Sequence, residues 1–554
     1  MKSYQIRKLF LDFFEKNGHK IVPSSSLLPS DPSVLFTTAG MQQFKSYYLG
    51  EKSPYGSDVA SCQKCFRTTD IEEVGDEKHL TFFEMLGNFS FGGYFKEKAI
   101  KLAYEFIVNE LKLDIDYVTI FSSEKVADGD WRKNIPEDKD SYKIWRDVGL
   151  PENKIRKEGI DNFWGPTGDD GPCGVTTEIY VNGIEVWNLV FNEYFCNNRR
   201  ELKKIDSPGL DTGSGLERLV AVVQEKNTIF ETDLFETIIG EISGQDERAK
   251  RIIADHIRSV VFLISEGILP LNLGRGYILR RLIRRAARYG KLLNLPKNFL
   301  IPLAKKTIEI YKEVYPEIKL KESDILTVIQ YEEEKFEKTL ERGLREIEKI
   351  PNLTGETAFL IYETFGFPLE LIEEIRKVEN REEFFVMKKK HQEISRAGAE
   401  KKFGGVGKEA TEEVIKLHTA THLLQAALRK ILGEHVKQMG SDITSQRLRF
   451  DFSHNQKMTQ EEIKKVEDLV NKKIEEDLEI KKEELSYEEA IESGALAFFK
   501  EKYPEIVNVY SIGDFSKEIC GGPHISRTSE LKGFRIIKEE SSGAGIRRIK
   551  AVLG

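Results

Sequence analysis

Apolar residues recur at helical spacing along much of this chain. From Ser323 to Ile350 they stand at Ile325, Ile329, Phe336, Leu340, Leu344 and Ile347, which predicts one long amphipathic helix. Leu417 to Leu432 is an apolar run without glycine and predicts a buried helix. Leu448 to Phe452 alternates apolar and polar positions, as a half-buried strand does, and a charged helix is expected from about Thr459 to Leu478. Residues 1–235 mix helical segments with β-rich runs such as Val186–Phe191, broken by glycine turns. Residues 236–402 read as mostly helical. The glycines near Phe403 mark a linker over 403–410, and 411–554 form a last domain. The expected class is α+β.

Bulk properties narrow the picture. A chain of 554 residues is too long for one core, so about three domains are expected. No apolar run approaches the ~20 residues that span a bilayer, and the N-terminus reads as an amphipathic helix without a signal-peptide core. No membrane partner is expected. Five thinly spread cysteines argue against a disulfide framework and for a reducing, cytoplasmic setting.

The net charge of −8 hides a local excess of the opposite sign. Gly267 to Ile308 holds six Arg and four Lys and no Asp or Glu. Arg280, Arg281, Arg284, Arg285 and Arg288 recur at helical spacing, and Ile278, Leu279, Leu282, Ile283 and Ala286 form the complementary stripe. Solvated faces usually mix signs. This one does not, so it is expected to meet a polyanion.

Two stretches carry candidate metal chemistry. His418 and His422 at i,i+4 share a helix face, and Cys520 and His524 flank a glycine-rich turn. Three imidazoles and one thiolate suit zinc. Thr419 stands where the H-E-x-x-H motif needs its glutamate, which argues against a zincin protease. Cys62 and Cys65 have no second pair and are read as structural.

The first half carries different chemistry. Arg67 ends a strand-like run, followed by an acidic loop from Asp70 to Glu77, His79 and Phe83. Arg218 closes Asp211-Thr212-Gly213-Ser214-Gly215-Leu216-Glu217-Arg218, read as a glycine turn leading into a helix. This arrangement resembles motifs 2 and 3 of class II aminoacyl-tRNA synthetases. Phe36–Met41, the run TFFEMLGNFSFGGYF from Thr81 to Phe95, Ala254–Ser259 and Arg275–Tyr277 are similar to the alanyl-tRNA synthetases over nearly the whole chain.

The resemblance implies an antiparallel-sheet catalytic domain, a helical domain that reads the tRNA acceptor stem, and a zinc-containing editing domain. It implies L-alanine, ATP with Mg2+ and tRNA(Ala) as partners. Arg67, His79 and Arg218 are the candidate catalytic residues, the arginines holding ATP phosphates. Met41, Phe83, Trp164, Asn188, Val190, Asp211 and Gly213 match the alanine and adenylate pocket. Asp211 would pair with the substrate ammonium, while Trp164 and Val190 would limit the side chain. A pocket of that kind rejects glycine and serine poorly, because one methylene or hydroxyl is worth only about 1–3 kcal/mol. Hence the second site: His418, His422, Cys520 and His524 as zinc ligands, with Thr421 and Gln438 lining it and Cys520 serving both.

Asn272, Arg275, Arg280, Arg281, Arg284 and Glu370 fall in the region that reads a G·U pair. The family usually carries Asp where Glu370 stands, and a GPCGPCSE loop where Val175 and Thr176 interrupt the match. It also carries a β-barrel near 403–410 and a C-terminal dimerising and tRNA-elbow region. Without these the chain is expected to be a monomer gripping the acceptor end, in either a natural minimal or a shortened form. A stand-alone deacylase and a non-catalytic RNA-binding relative are the competing readings. The retained Arg67, Asp211 and Arg218 speak against both.

Overall fold

The computed structural model describes residues 1–29, 34–166, 170–389, 411–454, 456–497, 506–543 and 545–554. The linker expected at 403–410 lies outside them. The chain divides into two compact units, Met1–Glu333 and Glu334–Gly554.

The first unit is built on a sheet with nine strands among the described residues. They are β1 (Lys20–Ile21), β2 (Asp58–Phe66), β3 (Phe82–Phe91), β4 (Tyr117–Phe121), β5 (Ile155–Glu158), β6 (Phe163–Trp164), β7 (Gly171–Val181), β8 (Ile184–Cys196) and β9 (Leu202–Gly215). The order is β1-β2-β3-β9-β8-β7-β4-β5, with β6 beside β7. Pairing is antiparallel from β2 through β9, β8 and β7 to β4, and parallel at the two outer pairs.

Strand alternation sorts the faces. Trp187 on β8 points to one side, against Phe10 and Phe14 of helix α1 (Ser3–Lys16) and against Phe106. Its neighbour Asn188 points to the other side, into a cavity. Asp211 to Gly215, expected as a glycine turn, is instead the end of β9, and helix α2 (Leu216–Val223) starts directly from it. Gly213 there lets β9 pack close to Met85 of β3 and makes no reversal.

Helices α3 (Glu247–Ser265), α4 (Gly274–Leu292) and α5 (Leu300–Tyr311) belong to this first unit. The sequence assigned them to a separate helical domain. Their tie to the sheet is specific. Phe262 of α3 stacks on Phe82 of β3 with ring centroids 3.8 Å apart. Fully buried Arg258 of α3 pairs with Glu217, whose carboxylate also accepts the backbone N–H of Glu84 at 3.1 Å. Glu84 is held by Arg7 at 2.6 Å and by the Tyr315 hydroxyl at 2.8 Å. Buried charges survive because each has a counter-charge or donor. Cys62 sits buried beside Glu84, and all five cysteines, each among the described residues, are free.

The expected long helix is α6 (Glu322–Lys349), within which the division into units falls. In the second unit, α7 (Gly355–Phe365) begins with a capping box at Thr354 and ends at Gly366, and α8 (Leu369–Ile375) follows. Helix α9 (Glu412–Leu432) packs against α10 (Gln460–Glu475) and the sheet β10-β11-β16-β15, formed by Gln438–Ile443, Leu448–Ser453, Ile546–Leu553 and Phe534–Gly543. Leu417, Leu424, Leu428, Phe450, Phe452, Val466 and Ile549 form its core. A second sheet runs β12-β13-β14, formed by Ile480–Ser486, Ile506–Ile512 and Ser516–Ile519.

Candidate functional sites: a charged cavity and a histidine–cysteine cluster

In the first unit a cavity of about 340 Å³ opens on the sheet face opposite α1. Cross-strand register builds its floor. Glu178, Asn188 and Gly213 form one row across β7, β8 and β9, and Val190 and Asp211 pair in the next. Gly213 leaves room that a side chain would take, since a Cβ there would sit 3.0 Å from Met85 Sδ. Arg67 follows β2, its Nε donating to the Thr38 carbonyl at 3.3 Å and its guanidinium 4.9 Å from the Phe83 ring. Arg218 lies in the first turn of α2 and pairs with Glu185 at 2.9 Å. His79 is oriented by Asp76, 2.5 Å from its Nδ1.

The cavity is lined by groups of both charges. Arg67, Arg218 and Lys78 supply donors and positive charge, and His79 adds a ring nitrogen. Asp211 supplies a carboxyl that burial pushes up to about 7. Glu178 is also pushed up to about 7, first by burial and then by Glu185. It accepts from the Tyr180 hydroxyl at 2.9 Å, Thr119 at 3.3 Å and Asn188 Nδ2 at 3.2 Å. Asn188 Oδ1 is buried with no hydrogen-bond partner among the described residues.

Arg67, His79, Phe83, Trp164, Asn188, Val190, Asp211, Gly213 and Arg218 thus line one cavity, as the sequence reading grouped them. Met41 does not line it. It lies behind, in an apolar layer with Ala39, Phe44 and Phe89. Sequence reasoning missed Glu178 and Glu185. The strand pairing that sets Glu178 beside Asn188 was the available signal, but it needs the register to be read.

The arginine helix corrects another expectation. Arg281, Arg284, Arg285 and Arg288 of α4 are buried rather than forming a basic face open to a polyanion. Arg284 Nε donates to Glu332 at 2.7 Å, and Arg281 pairs with Glu72. The helix holds only positive charge, but its packing partners bring the negative. Arg275 and Arg280 are half-buried: Arg275 donates to the Leu35 carbonyl at 2.6 Å, and Arg280 bonds Asn272 and the Pro270 carbonyl. Asn272 is exposed. Glu370, half-buried in the first turn of α8, belongs to the second unit, where its charge offsets the lowering that burial imposes on Lys388.

In the second unit His418, His422, Cys520 and His524 bring four potential ligand atoms within 4.8 Å of one another. The first two come from one face of α9, and the others from the turn after β14. Hydrogen bonds fix the rings. The Pro523 carbonyl, 3.2 Å from His418 Nδ1, accepts its proton, so the Nε2 lone pair faces Cys520 Sγ at 3.4 Å. The Thr419 hydroxyl donates to the Ile415 carbonyl at 3.3 Å and lies 3.1 Å from His524 Nδ1. His524 Nδ1–H therefore donates to Thr419, which frees Nε2. His524 Nε2 is buried without a hydrogen-bond partner among the described residues, and His422 Nδ1 faces the buried Glu518 carboxylate at 3.3 Å.

Burial lowers His422 to about 3, reinforced by His418, so the imidazoles are neutral and able to bind metal. This donor set fits a metal ion. Thr421 is buried, but its hydroxyl donates to the Leu417 carbonyl, and Gln438 bonds Ser441. Neither is hydrogen-bonded to the cluster. Thr419, passed over in sequence as a missing glutamate, is.

The comparison with known proteins decides the family. A relative from Borreliella afzelii (strain PKo), named alanine–tRNA ligase, is 45% identical over 594 residues, covering 99% of this chain and 99% of that one. The chain belongs to the alanine–tRNA ligases. A Treponema denticola member is 44% identical, covering 99% of this chain and 98% of its own. A Thermotoga sp. (strain RQ2) member is 38% identical, and 80% of its length is covered.

Residues 5–463 match the model of class II (A) tRNA synthetases, and residues 507–550 match the second additional domain of threonyl and alanyl tRNA synthetases. The first match includes the cavity, α4 and the paired histidines of α9. The second includes Cys520 and His524. The expected α+β class II fold with its appended editing domain is the fold of this family.

Proposed function

We propose that the first-unit cavity activates L-alanine with ATP and passes the alanyl group to tRNA(Ala), and that the second-unit cluster removes wrongly attached serine or glycine. The observation that carries the reading is one small cavity lined by both the Asp211 carboxyl and the Arg67 and Arg218 guanidiniums.

Asp211 pairs with the substrate ammonium, and Asn188 Nδ2 meets its carboxylate side. Val190 and Trp164 leave space for a methyl group. ATP enters as its Mg2+ complex, with Arg67 on the α-phosphate and Arg218 toward the γ-phosphate. The alanine carboxylate oxygen attacks the α-phosphorus, and the bond to pyrophosphate breaks. The terminal ribose hydroxyl of tRNA then attacks the alanyl carbonyl, and AMP leaves. Fixed donors stabilise charge as it develops, so positioning supplies most of the acceleration.

His418, His422, Cys520 and His524 would hold zinc, which when bound supplies a Lewis-acidic centre for ester hydrolysis or anchoring. Thr421 and Gln438 line that pocket. Asn272, Arg275, Arg280 and Glu370 are the acceptor-stem contacts, and Arg281 and Arg284 leave that set because they are buried in pairs. Alanine-dependent ATP–pyrophosphate exchange tests the ligase. Its absence would favour a deacylase alone. Alanylation of G·U against G·C acceptor stems tests the reading assigned to Glu370.

A further inference from the structure

Helix α4 places buried cations against a loop rather than toward solvent. The loop between β2 and β3 carries Asp70, Lys78 and His79 into the cavity. Arg285 Nη1 donates to the Ile71 carbonyl at 2.8 Å, and Arg281 pairs with the Glu72 carboxylate. Gly75 lies against α3 with φ +124, where a Cβ would come within 2.8 Å of Arg248 Cγ and 3.2 Å of Ile252 Cδ1. Only glycine permits that approach.

The loop's far end is held as well. The Asp255 carboxylate accepts from the Thr81 N–H at 2.8 Å and from its hydroxyl at 2.6 Å. The Thr81 carbonyl accepts the Arg67 N–H at 2.9 Å. Between them stands His256, 2.8 Å from both Arg285 Nη1 and Asp255 Oδ2. A guanidinium can only donate, so His256 Nε2 accepts and its Nδ1–H donates to Asp255. The chain Arg285–His256–Asp255–Thr81 thus ends at Arg67.

We infer that Arg281 and Arg285 are positioning residues for the nucleotide end of the cavity, clamping the loop that presents Asp70, Lys78 and His79 and, through Thr81, Arg67. The inference rests on the proposed use of that cavity for ATP. It assigns to adenylate formation two residues that sequence alone assigns to RNA. A clamp of this kind matters because small misplacements of charged groups carry large rate penalties.

The test is alanine-dependent ATP–pyrophosphate exchange without tRNA, titrating ATP and alanine separately. Arg281→Gln probes the buried side of the clamp. Glu72→Gln probes its loop side, where the glutamate side chain is 48% exposed against 8% for Arg281, so the fold tolerates the change. Both variants are expected to raise the KM for ATP about tenfold and leave the KM for alanine unchanged. Arg281→Lys, which keeps the charge, is expected to recover part of the loss. If Arg281→Gln does not fold, Glu72→Gln decides alone. An unchanged ATP KM in exchange, with a raised KM for tRNA in a parallel aminoacylation assay, would return these arginines to RNA binding. Equal rises for ATP and alanine with a lowered unfolding temperature would reduce the clamp to fold support. No exchange in the unaltered chain would overturn the ligase reading itself, and the clamp with it.

Discussion

In the first unit, Glu178, Asn188 and Asp211 reach one cavity from three strands bonded side by side. In the second unit, two of the four candidate ligand residues come from adjacent turns of a single helix, and the other two from one short turn. One site is made by sheet register, the other mainly by local spacing. The difference extends to electrostatics. The cavity keeps carboxyls and guanidiniums together and so can hold a zwitterion and a polyphosphate. The cluster collects neutral imidazoles and a thiol whose candidate ligand atoms lie within 4.8 Å of one another. Two chemistries on one chain are therefore separable by single substitutions.

The largest separation is expected at Arg67. Arg67→Ala should lower kcat/KM for exchange by about a thousandfold, the scale for losing a transition-state donor. It should leave metal content and hydrolysis of preformed Ser-tRNA unchanged. Parallel loss of both activities would break the comparison.

Cys520→Ala reverses the pattern. Bound zinc should fall from about one per chain, and Ser-tRNA hydrolysis by about a hundredfold, with exchange unaffected. Metal analysis by mass spectrometry and a deacylation assay measure this. Unchanged zinc would remove Cys520 from the ligand set.

How much of each site could be read beforehand follows from how each is built. His418 and His422 were legible because i,i+4 spacing alone fixes a shared face. Asp211, Arg67 and Arg218 were legible only through motif resemblance, since nothing local tells which strands pair. Glu178 was not legible, although it lies across from Asn188. The α4 arginines were misread for a related reason. Periodicity separates an apolar stripe from a charged one, but it does not say that Glu72 and Glu332 cover the charged one. Likewise Thr419 had meaning only once the turn bearing His524 was seen beside α9.

Thr419→Val sharpens that last point. Removing the hydroxyl that orients His524 should weaken zinc binding about tenfold, the scale for losing an outer hydrogen bond to a metal-binding histidine. Competition with a chromogenic chelator measures it, and unchanged affinity would contradict the orienting role.

The smallest effect concerns pH. Burial raises Asp211 to about 7. Below that pH its carboxyl is neutral and cannot pair with the substrate ammonium. Alanine affinity should therefore fall as pH drops from 8 to 6, by about tenfold at most for one group. Glu178, also near 7, acts in the same direction by loosening Asn188. Calorimetric titration with alanine at the two pH values measures it, and equal affinities would deny Asp211 its role.

The most direct test of two independent sites is to remove zinc with a selective chelator at saturating Mg2+ and measure both activities on the same sample. Alanine-dependent ATP–pyrophosphate exchange should persist at its full rate while Ser-tRNA hydrolysis stops. Loss of exchange on zinc removal, or hydrolysis that continues without the metal, would contradict it.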